Sequence, residues 1–232
     1  MRVHVAFTPD EAGAAPTGVV IDVIRATTTM CQALASGYER VFCTAEVEEA
    51  HALREELGDG VLGGERNAVR IPGFDLGNSP REYVEPKGKT LILSTTNGTR
   101  AVVSAAMRCE RVLVASLLNL AAVVEAARVA NEDAIVVCAG VQGTLALDDG
   151  YVAGRIVDLL GWERSDAAEA AARLTSTWSG ADEAFRASKS GRNLLEKAPE
   201  LEEDLAFCAR ESVLDVVPRL VALRDGVAEI SL

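Results

Sequence analysis

Short apolar runs alternate along the chain with longer stretches in which apolar residues recur at helical spacing. Short runs rich in Val, Ile and Leu are typical of buried strands, and longer periodic stretches are typical of helices. This pattern predicts strands at residues 3–7, 19–24, 40–43, 90–93, 111–115 and 134–138. It predicts helices at residues 27–36, 47–57, 120–130 and 148–160, and one that starts within STTNGTR and ends near Met107.

The alternation of strands and helices favours an α/β fold, in which a mostly parallel sheet is flanked by helices on both faces. Residues 166–209 are predicted to be helical in pieces, with breaks near Gly180, Gly191 and Pro199. No stretch of the chain has the composition of a linker, so we predict a single α/β domain over residues 1–232.

The C-terminal segment and one long loop complete the predicted elements. Asp225-Gly226 separates two apolar runs and predicts a hairpin. Pro218 cannot donate a backbone hydrogen bond, which places its strand at an edge of the sheet. We expect this apolar hairpin to be a candidate contact for a homodimer. Residues 63–89 are predicted to form an ordered loop, because Gly, Pro and Asn alternate there with large apolar side chains.

Three passages follow one plan, with a short apolar strand, a turn of small or hydroxyl residues, and then a helix. They read VVIDVIRATTT, LILSTTNGTR and IVVCAGVQGT. In parallel sheets such turns gather at the carboxyl edge of the strands, where ligands bind. In the first passage a threonine is predicted to cap the helix and Gly37 to end it. The sequence therefore predicts one site built from all three turns.

Asp22 interrupts the first of these apolar runs. Burying a carboxylate is unfavourable unless it is paired or binds a cation, so Asp22 is a candidate metal ligand and Arg25 a candidate anion ligand. A structural ion pair between Asp22 and Arg25 explains the same residues. Thr28 would bind an anion at the start of the helix, or it packs there as an ordinary helix residue.

The other two turns and one strand end add polar candidates. In the second turn, hydroxyl, amide and guanidinium groups suit oxyanions, although an ordinary turn accounts for them too. Paired acids at a helix start suit Mg²⁺, whose ligands are oxygen atoms, and they also complement a helix dipole. Glu65 at the strand end is a candidate metal ligand and Arg66 a candidate anion ligand, although solvation at the surface accounts for both. The candidates are Glu65, Arg66, Thr96, Asn97, Gly98, Arg100, Asp148 and Asp149.

Charge and composition exclude several classes of function. The formal net charge of −12 argues against nucleic acid and anionic membranes as partners. The chain shows no N-terminal signal and no apolar run long enough to span a bilayer, so we expect a cytoplasmic protein. Five cysteines without a CxxC pair are expected to be buried free thiols. With two histidines, a His-rich zinc site or a Ser-His-Asp triad is not expected.

An ordered series of motifs resembles the 2-phosphosulfolactate phosphatase family, which is associated with coenzyme M biosynthesis. The passages that carry the resemblance are IDVIRATTT, GGERNAVRIPGFDLGNSP, STTNGTR and VCAGVQGTLALDDGYVAG, with a weaker match in SGRNLLEKAPELEEDLAFCARESVLDVVP. The chain has Asp148-Asp149 where the family tends to have Glu-Asp, and Glu211-Ser212 where an aspartate is expected.

The resemblance implies an α/β enzyme that uses Mg²⁺ to hydrolyse a small anionic phosphoester, giving sulfolactate and phosphate from 2-phosphosulfolactate. We infer the residue roles within it. The catalytic candidates are Asp22, Asp149, Arg25 and Arg100; the substrate-binding candidates are Arg66, Thr28, Thr96, Asn97 and Gly98; the metal-binding candidates are Asp22, Glu65 and Asp148. Asp148 would reach a metal ion through water.

Two other functions fit the same residues. The first is a non-catalytic binder of a small phosphate or sulfonate, which a ligand would stabilise without turnover. The second is a metal-dependent isomerase or lyase acting on a phosphate-bearing metabolite, which would release no free phosphate. For a phosphatase, a covalent phosphoenzyme through Asp22 or Cys138 is an alternative to direct attack by water.

Overall fold

The computed structural model describes residues 1–232 as eleven strands in one sheet and nine α-helices. The strands are β1 (Arg2–Ala6), β2 (Ala15–Ile21), β3 (Arg40–Thr44), β4 (Val61–Arg66), β5 (Val69–Arg70), β6 (Thr90–Ser94), β7 (Cys109–Ala115), β8 (Ala134–Cys138), β9 (Glu163–Arg164), β10 (Arg219–Arg224) and β11 (Val227–Ser231). The helices are α1 (Ala26–Ser36), α2 (Val47–Leu57), α3 (Gly98–Ala106), α4 (Leu120–Ala130), α5 (Leu147–Leu160), α6 (Asp166–Thr175), α7 (Ala181–Ala187), α8 (Lys189–Lys197) and α9 (Glu203–Cys208).

The sheet has the order β5-β4-β6-β3-β11-β10-β7-β2-β8-β1-β9. Strand β2 lies between β7 and β8 and runs parallel to both. Strands β3, β4 and β6 form a second parallel group. The predicted α/β class with a mostly parallel sheet is therefore confirmed. None of the helices has the length and apolar character of a membrane span.

Alternation along the central strands produces a core on each face of the sheet, because successive side chains of a strand point to opposite faces. Val19 and Ile21 of β2 pack in one core together with α4, α5, α6 and α7. Val20 packs in the other core with Met30 of α1 and Val102 of α3. Helices therefore cover both faces, as the sequence predicts.

The C-terminal hairpin of β10 and β11 joins the two parallel groups. Strand β11 pairs antiparallel with β3, and β10 pairs antiparallel with β7 at Arg219. The predicted hairpin is confirmed, but the edge position inferred from Pro218 is wrong. Pro218 lies just before β10, where its missing N–H interrupts no ladder, and its carbonyl accepts from Val114 N at 2.9 Å. The single domain over residues 1–232 stays a prediction.

Local sequence fixes the ends of α2 as predicted. Glu46 and Glu49 form a reciprocal capping box at its start. Gly58 ends the helix in the left-handed conformation, with φ of 68°. Gly37 ends α1 in the same way, with φ of 114°. These glycines adopt a backbone conformation that other residues rarely reach.

Three local expectations are wrong. The residue that caps α1 is Arg25, and no side chain caps this helix, so no threonine does so. Gly191 does not break a helix, since it lies inside α8, whose cap is Ser188. Residues 63–89 are not one loop, because β4 extends to Arg66 and pairs with the short strand β5.

Candidate active site

A small polar cavity of about 100 Å³ lies at the carboxyl edge of the parallel strands. All three turns predicted from the sequence contribute to its wall. The first turn supplies Asp22 and Arg25, the second supplies Thr96 and Asn97, and the third supplies Val141 and Gln142. Glu65 and residues of α8 complete the wall.

Asp22 follows the last residue of β2 and is 8% exposed. The backbone N–H of Ala26 donates to its Oδ1 at 3.3 Å, and its own N–H donates to Thr27 Oγ1 at 3.0 Å. Burial, with the negative charges of Glu65 and Asp148, raises the pKa of Asp22 to about 7. The carboxylate that the sequence singled out is therefore buried, lines the cavity and is not paired with Arg25.

Arg25 is held by a different acid, Asp204 of α9. Its Nη1 donates to Asp204 Oδ2 at 2.7 Å, and its Nη2 donates to the carbonyl of Ala68 at 3.1 Å. Ser79 Oγ donates to the other oxygen of Asp204 at 2.7 Å. Arg25 thus lines the cavity as half of a buried ion pair, and its charge is already neutralised within the protein.

The threonines at the start of α1 fasten loops to the helix. Thr28 Oγ1 donates to the carbonyl of Val23 at 2.8 Å, and Thr29 Oγ1 donates to the carbonyl of Asn78 at 2.9 Å. Both side chains are fully buried, and neither lines the cavity. The structure therefore does not bring Thr28, a predicted substrate ligand, to the open site.

Glu65 and Arg66 at the end of β4 point to different surroundings. Glu65 lines the cavity, where its carboxylate accepts from the N–H groups of Ala68 at 2.7 Å and Thr96 at 2.9 Å. Arg66 donates to the carbonyl of Ala45 at 2.7 Å and to Ser94 Oγ at 2.9 Å. Glu65 lies where the sequence predicts. The guanidinium of Arg66 does not line the cavity and instead binds Ala45, just after β3, and Ser94 of β6.

The turn after β6 approaches Asp22 closely at Gly98. A Cβ on Gly98 would lie 2.5 Å from Ala26 Cβ and 3.0 Å from Asp22 Oδ2. Only a glycine permits this approach of α3 to the first turn. Thr96 and Asn97, which precede it, line the cavity with side chains that are exposed and half-buried.

Arg100 lies in a neighbouring cavity of about 470 Å³. Arg108 and Asn97 also line that cavity, whereas Asp22 and Glu65 do not. The structure therefore separates Arg100 from the buried acids, although the sequence placed it in the same catalytic group.

Asp148 and Asp149 open α5 and are both buried, and neither lines the cavity. Asp149 accepts from Val23 N at 2.9 Å and from Gly140 N at 3.0 Å, so it ties the first turn to the third. Asp148 Oδ1 accepts from Ser190 Oγ at 3.1 Å. Burial raises the pKa of Asp148 to about 6 and holds that of Asp149 well above its usual range, where the charges of Asp148 and Asp22 raise it further.

Several cavity residues were missed by the sequence reasoning. Helix α8 contributes Ser190, Asn193, Leu194 and Lys197. Their spacing of three, four and seven residues is the signal that would have revealed one polar helix face. Asp204, the partner of Arg25, gave a weaker signal, because its segment is rich in acids that read as a solvated surface.

The side chains around the cavity offer oxygen atoms of the kind that bind a hard divalent cation. Mg²⁺ is usually bound through one or two carboxylates together with substrate phosphate oxygens and water. Asp22 and Glu65 line the cavity, and the buried Oδ1 of Asn78, another lining residue, lacks a hydrogen-bond partner. No three Asp, Glu, His or Cys side chains converge on one point, so the acids do not form a closed metal cage.

The fold and this cavity define an α/β protein with an acidic, oxygen-rich site at the carboxyl edge of its sheet. The sequence profile of the 2-phosphosulpholactate phosphatase family matches residues 5–222. The chain belongs to this family and is a phosphoric monoester hydrolase. Of the functions that the residues alone left open, the comparisons support the enzyme over the non-catalytic binder.

Curated relatives cover nearly the whole chain. A probable 2-phosphosulfolactate phosphatase of Thermus thermophilus is 40% identical over 237 aligned positions, which cover 99% of this chain and 97% of the relative. Proteins with the same name are 41% identical in Thermotoga petrophila, over 94% of this chain and 95% of the relative, and 36% identical in Carboxydothermus hydrogenoformans, over 94% and 92%.

Proposed function

We propose that this protein hydrolyses 2-phosphosulfolactate to sulfolactate and phosphate in a reaction that requires Mg²⁺. The names of its relatives support this substrate. The size and polarity of the cavity support a small anionic phosphoester.

One observation carries the proposed metal requirement. Asp22 is buried at the cavity beside the charges of Glu65 and Asp148, and its pKa is raised to about 7 by burial and by those charges. A bound divalent cation would offset this repulsion and hold Asp22 ionised. Mg²⁺ would supply charge neutralisation at the phosphoryl oxygens, with Asp22 as its ligand and Glu65 beside it.

The start of α3 and the polar side chains just before it support a role for the second turn in holding the phosphoryl group. Helix α3 begins at Gly98, the residue after the cavity-lining Asn97, and the N-terminus of a helix favours anions. Asn97 and Thr96 line the wall next to it. We assign these three residues to the binding of phosphoryl oxygens.

Asp148 suits the role of general base for the attacking water better than Asp149 does. Asp149 uses both carboxylate oxygens to accept backbone N–H groups. Asp148 does not line the cavity itself, but its Oδ1 accepts from Ser190 Oγ, which does. With a pKa of about 6, Asp148 suits a base near neutral pH that would take the proton of the water through Ser190. Asp149 is then a positioning residue, because its hydrogen bonds hold the first and third turns together.

The cellular context follows from the same proposal. We place the protein in the cytoplasm, and the family's association with coenzyme M biosynthesis suggests its pathway. A homodimer through the hairpin would use its exposed face, which includes Val221, because β11 is paired with both β10 and β3, and β10 is paired with β11 and, at Arg219, with β7.

The experiment that tests the metal assignment compares Asp22→Asn with Asp166→Asn, an exposed acid without an ion pair. We expect Asp22→Asn to lower kcat/KM by about 100-fold or more and to abolish the thermal stabilisation by Mg²⁺. The Asp166→Asn variant should match the wild type in both measurements. Full Mg²⁺-dependent turnover by Asp22→Asn would contradict the assignment.

A further inference from the structure

Helix α8 presents one polar face to the cavity. Ser190, Asn193, Leu194 and Lys197 all line it. Ser190 is already engaged, because its hydroxyl donates to Asp148. Leu194 is 2% exposed and packs in a small apolar cluster with Ala198 and Leu205. Asn193 and Lys197 are therefore the residues of this face that remain free for a ligand.

Lys197 is the unneutralised cation of the cavity. The other basic residue in the wall, Arg25, is paired with Asp204 inside the protein. Lys197 takes part in none of the ion pairs or side-chain hydrogen bonds of the chain, and its side chain is exposed. The wall thus has a buried acidic end at Asp22 and Glu65 and an exposed basic end at Lys197.

Gln142 of the third turn adds unused donors beside α8. Its Oε1 accepts from Lys189 Nζ at 2.6 Å, which joins the turn to the first residue of the helix. A glutamine amide also carries two N–H donors, and those of Gln142 have no partner within the protein. Asn193 likewise makes no side-chain hydrogen bond, and both residues line the cavity.

We propose that Lys197, Asn193 and Gln142 bind the sulfonate of the substrate and so set the specificity of the enzyme. This inference rests on the proposed function. The phosphoryl group would bind at the buried acidic end, together with the metal ion. The exposed basic end is then left for the carboxylate or the sulfonate of the substrate. In 2-phosphosulfolactate one carbon atom bears both the carboxylate and the phosphate ester, and the next carbon atom bears the sulfonate. The sulfonate is therefore the group that reaches Lys197.

The test compares two esters in one set of variants. 2-Phospholactate keeps the phosphate and the carboxylate but has hydrogen in place of the sulfonate. We expect Lys197→Met to lower kcat/KM for 2-phosphosulfolactate by about 10- to 100-fold, the range for a lost hydrogen bond to a charged group. For 2-phospholactate we expect kcat/KM to change by less than about threefold, because this ester has no sulfonate for Lys197 to bind.

Two further variants serve as controls. Lys197→Arg keeps the charge and should restore most of the discrimination between the esters. Lys87→Met removes an exposed lysine outside the cavity and should change neither rate. Lys197 also lies in the last turn of α8, where a cation complements the helix dipole. Equal losses with both esters, or only a lower Tm, would overturn the proposal.

Failure of the proposed function would be recognised separately. If the wild type releases phosphate from neither ester, calorimetric titration with sulfolactate and with lactate decides the matter. Weaker binding of sulfolactate by Lys197→Met than by the wild type would support the sulfonate site even without hydrolysis. Equal binding by the two proteins, or no binding by either, would overturn it.

Discussion

Arg25 and Asp204 form an ion pair of 2.7 Å in which the two side chains are 3% and 0% exposed. The pair connects the turn after β2 to α9 across 179 positions of the sequence. Ser79 and the carbonyl of Ala68 complete its hydrogen bonds. The wall of the cavity near Arg25 therefore depends on a helix close to the C-terminus.

Removing Asp204 should destabilise the protein strongly. Asp204→Ala leaves the Arg25 charge buried without a partner, and breaking such a pair costs about 3 to 5 kcal/mol. The exposed pair of Glu132 with Arg111 provides the control, since Glu132→Ala should cost less than about 1 kcal/mol. Denaturant unfolding measures both values. Similar losses for the two variants would contradict the burial argument.

Adding one methyl group at Gly98 should damage the site. The new Cβ would overlap Ala26 and press on Asp22 Oδ2, so α3 must move away from the first turn. We expect Gly98→Ala to lower phosphate release by about 100-fold, the scale seen when catalytic groups shift by about 1 Å. Gly13→Ala, where no atom lies within 4 Å of the new Cβ, should leave the rate unchanged. A fully active Gly98→Ala enzyme would show that this approach is not required.

Without metal, the protein should lose stability as the pH rises. Burial raises the pKa of Asp22 to about 7 and that of Asp148 to about 6, while an aspartate in the unfolded chain titrates near pH 3.9. The folded state binds more protons between these values, so the free energy of unfolding falls from about pH 4 to about pH 7.

The pH effect can be separated from the general negative charge of the chain. Thermal melting in EDTA at pH 5 and pH 8 gives the size of the loss, which Mg²⁺ should reduce. Asp22→Asn should flatten the dependence of the Tm on pH. Asp166→Asn, which removes one exposed negative charge instead of a buried one, should not. A Tm in EDTA that stays constant or rises over this range would refute the expectation.

The cysteines should be nearly unreactive in the folded protein. Cys31, Cys43, Cys138 and Cys208 are buried, and burial raises the pKa of Cys31 and Cys43 to about 12. Cys109 is half-buried, so a thiol reagent at pH 8 should find no more than this one, and Cys109→Ser should abolish its slow reaction. Denatured protein should react at all five. Rapid reaction of two or more thiols in the native state would contradict the packing described.

Local patterns were enough to predict the parallel sheet, the helices on both faces and the gathering of three turns. Each of these follows from the period of apolar residues and from the general geometry of parallel sheets. The position of the hairpin was not predictable in this way. Pro218 shows that one backbone N–H donor is missing. Whether the hairpin then lies at an edge of the sheet or between β3 and β7 depends on pairing between segments that are distant in the sequence.

The candidate site shows the same division. Asp22 and Glu65 were predicted because acids next to apolar strands are unusual, and the structure brings both to the cavity. Arg25 was expected to bind an anion, but its partner Asp204 is far away in the sequence, so local reasoning had no access to the pair. The contribution of α8 was missed for a different reason, because a helix with polar residues on one face normally turns that face to solvent.

The decisive measurement is phosphate release from 2-phosphosulfolactate by the wild-type protein, with Mg²⁺ and with EDTA. We expect release with Mg²⁺ that EDTA abolishes and that added Mg²⁺ restores. Release at the same rate in EDTA would contradict the role given to Asp22 and its acidic neighbours. No release in either condition, from protein shown to be folded by its melting transition, would contradict the proposed reaction itself.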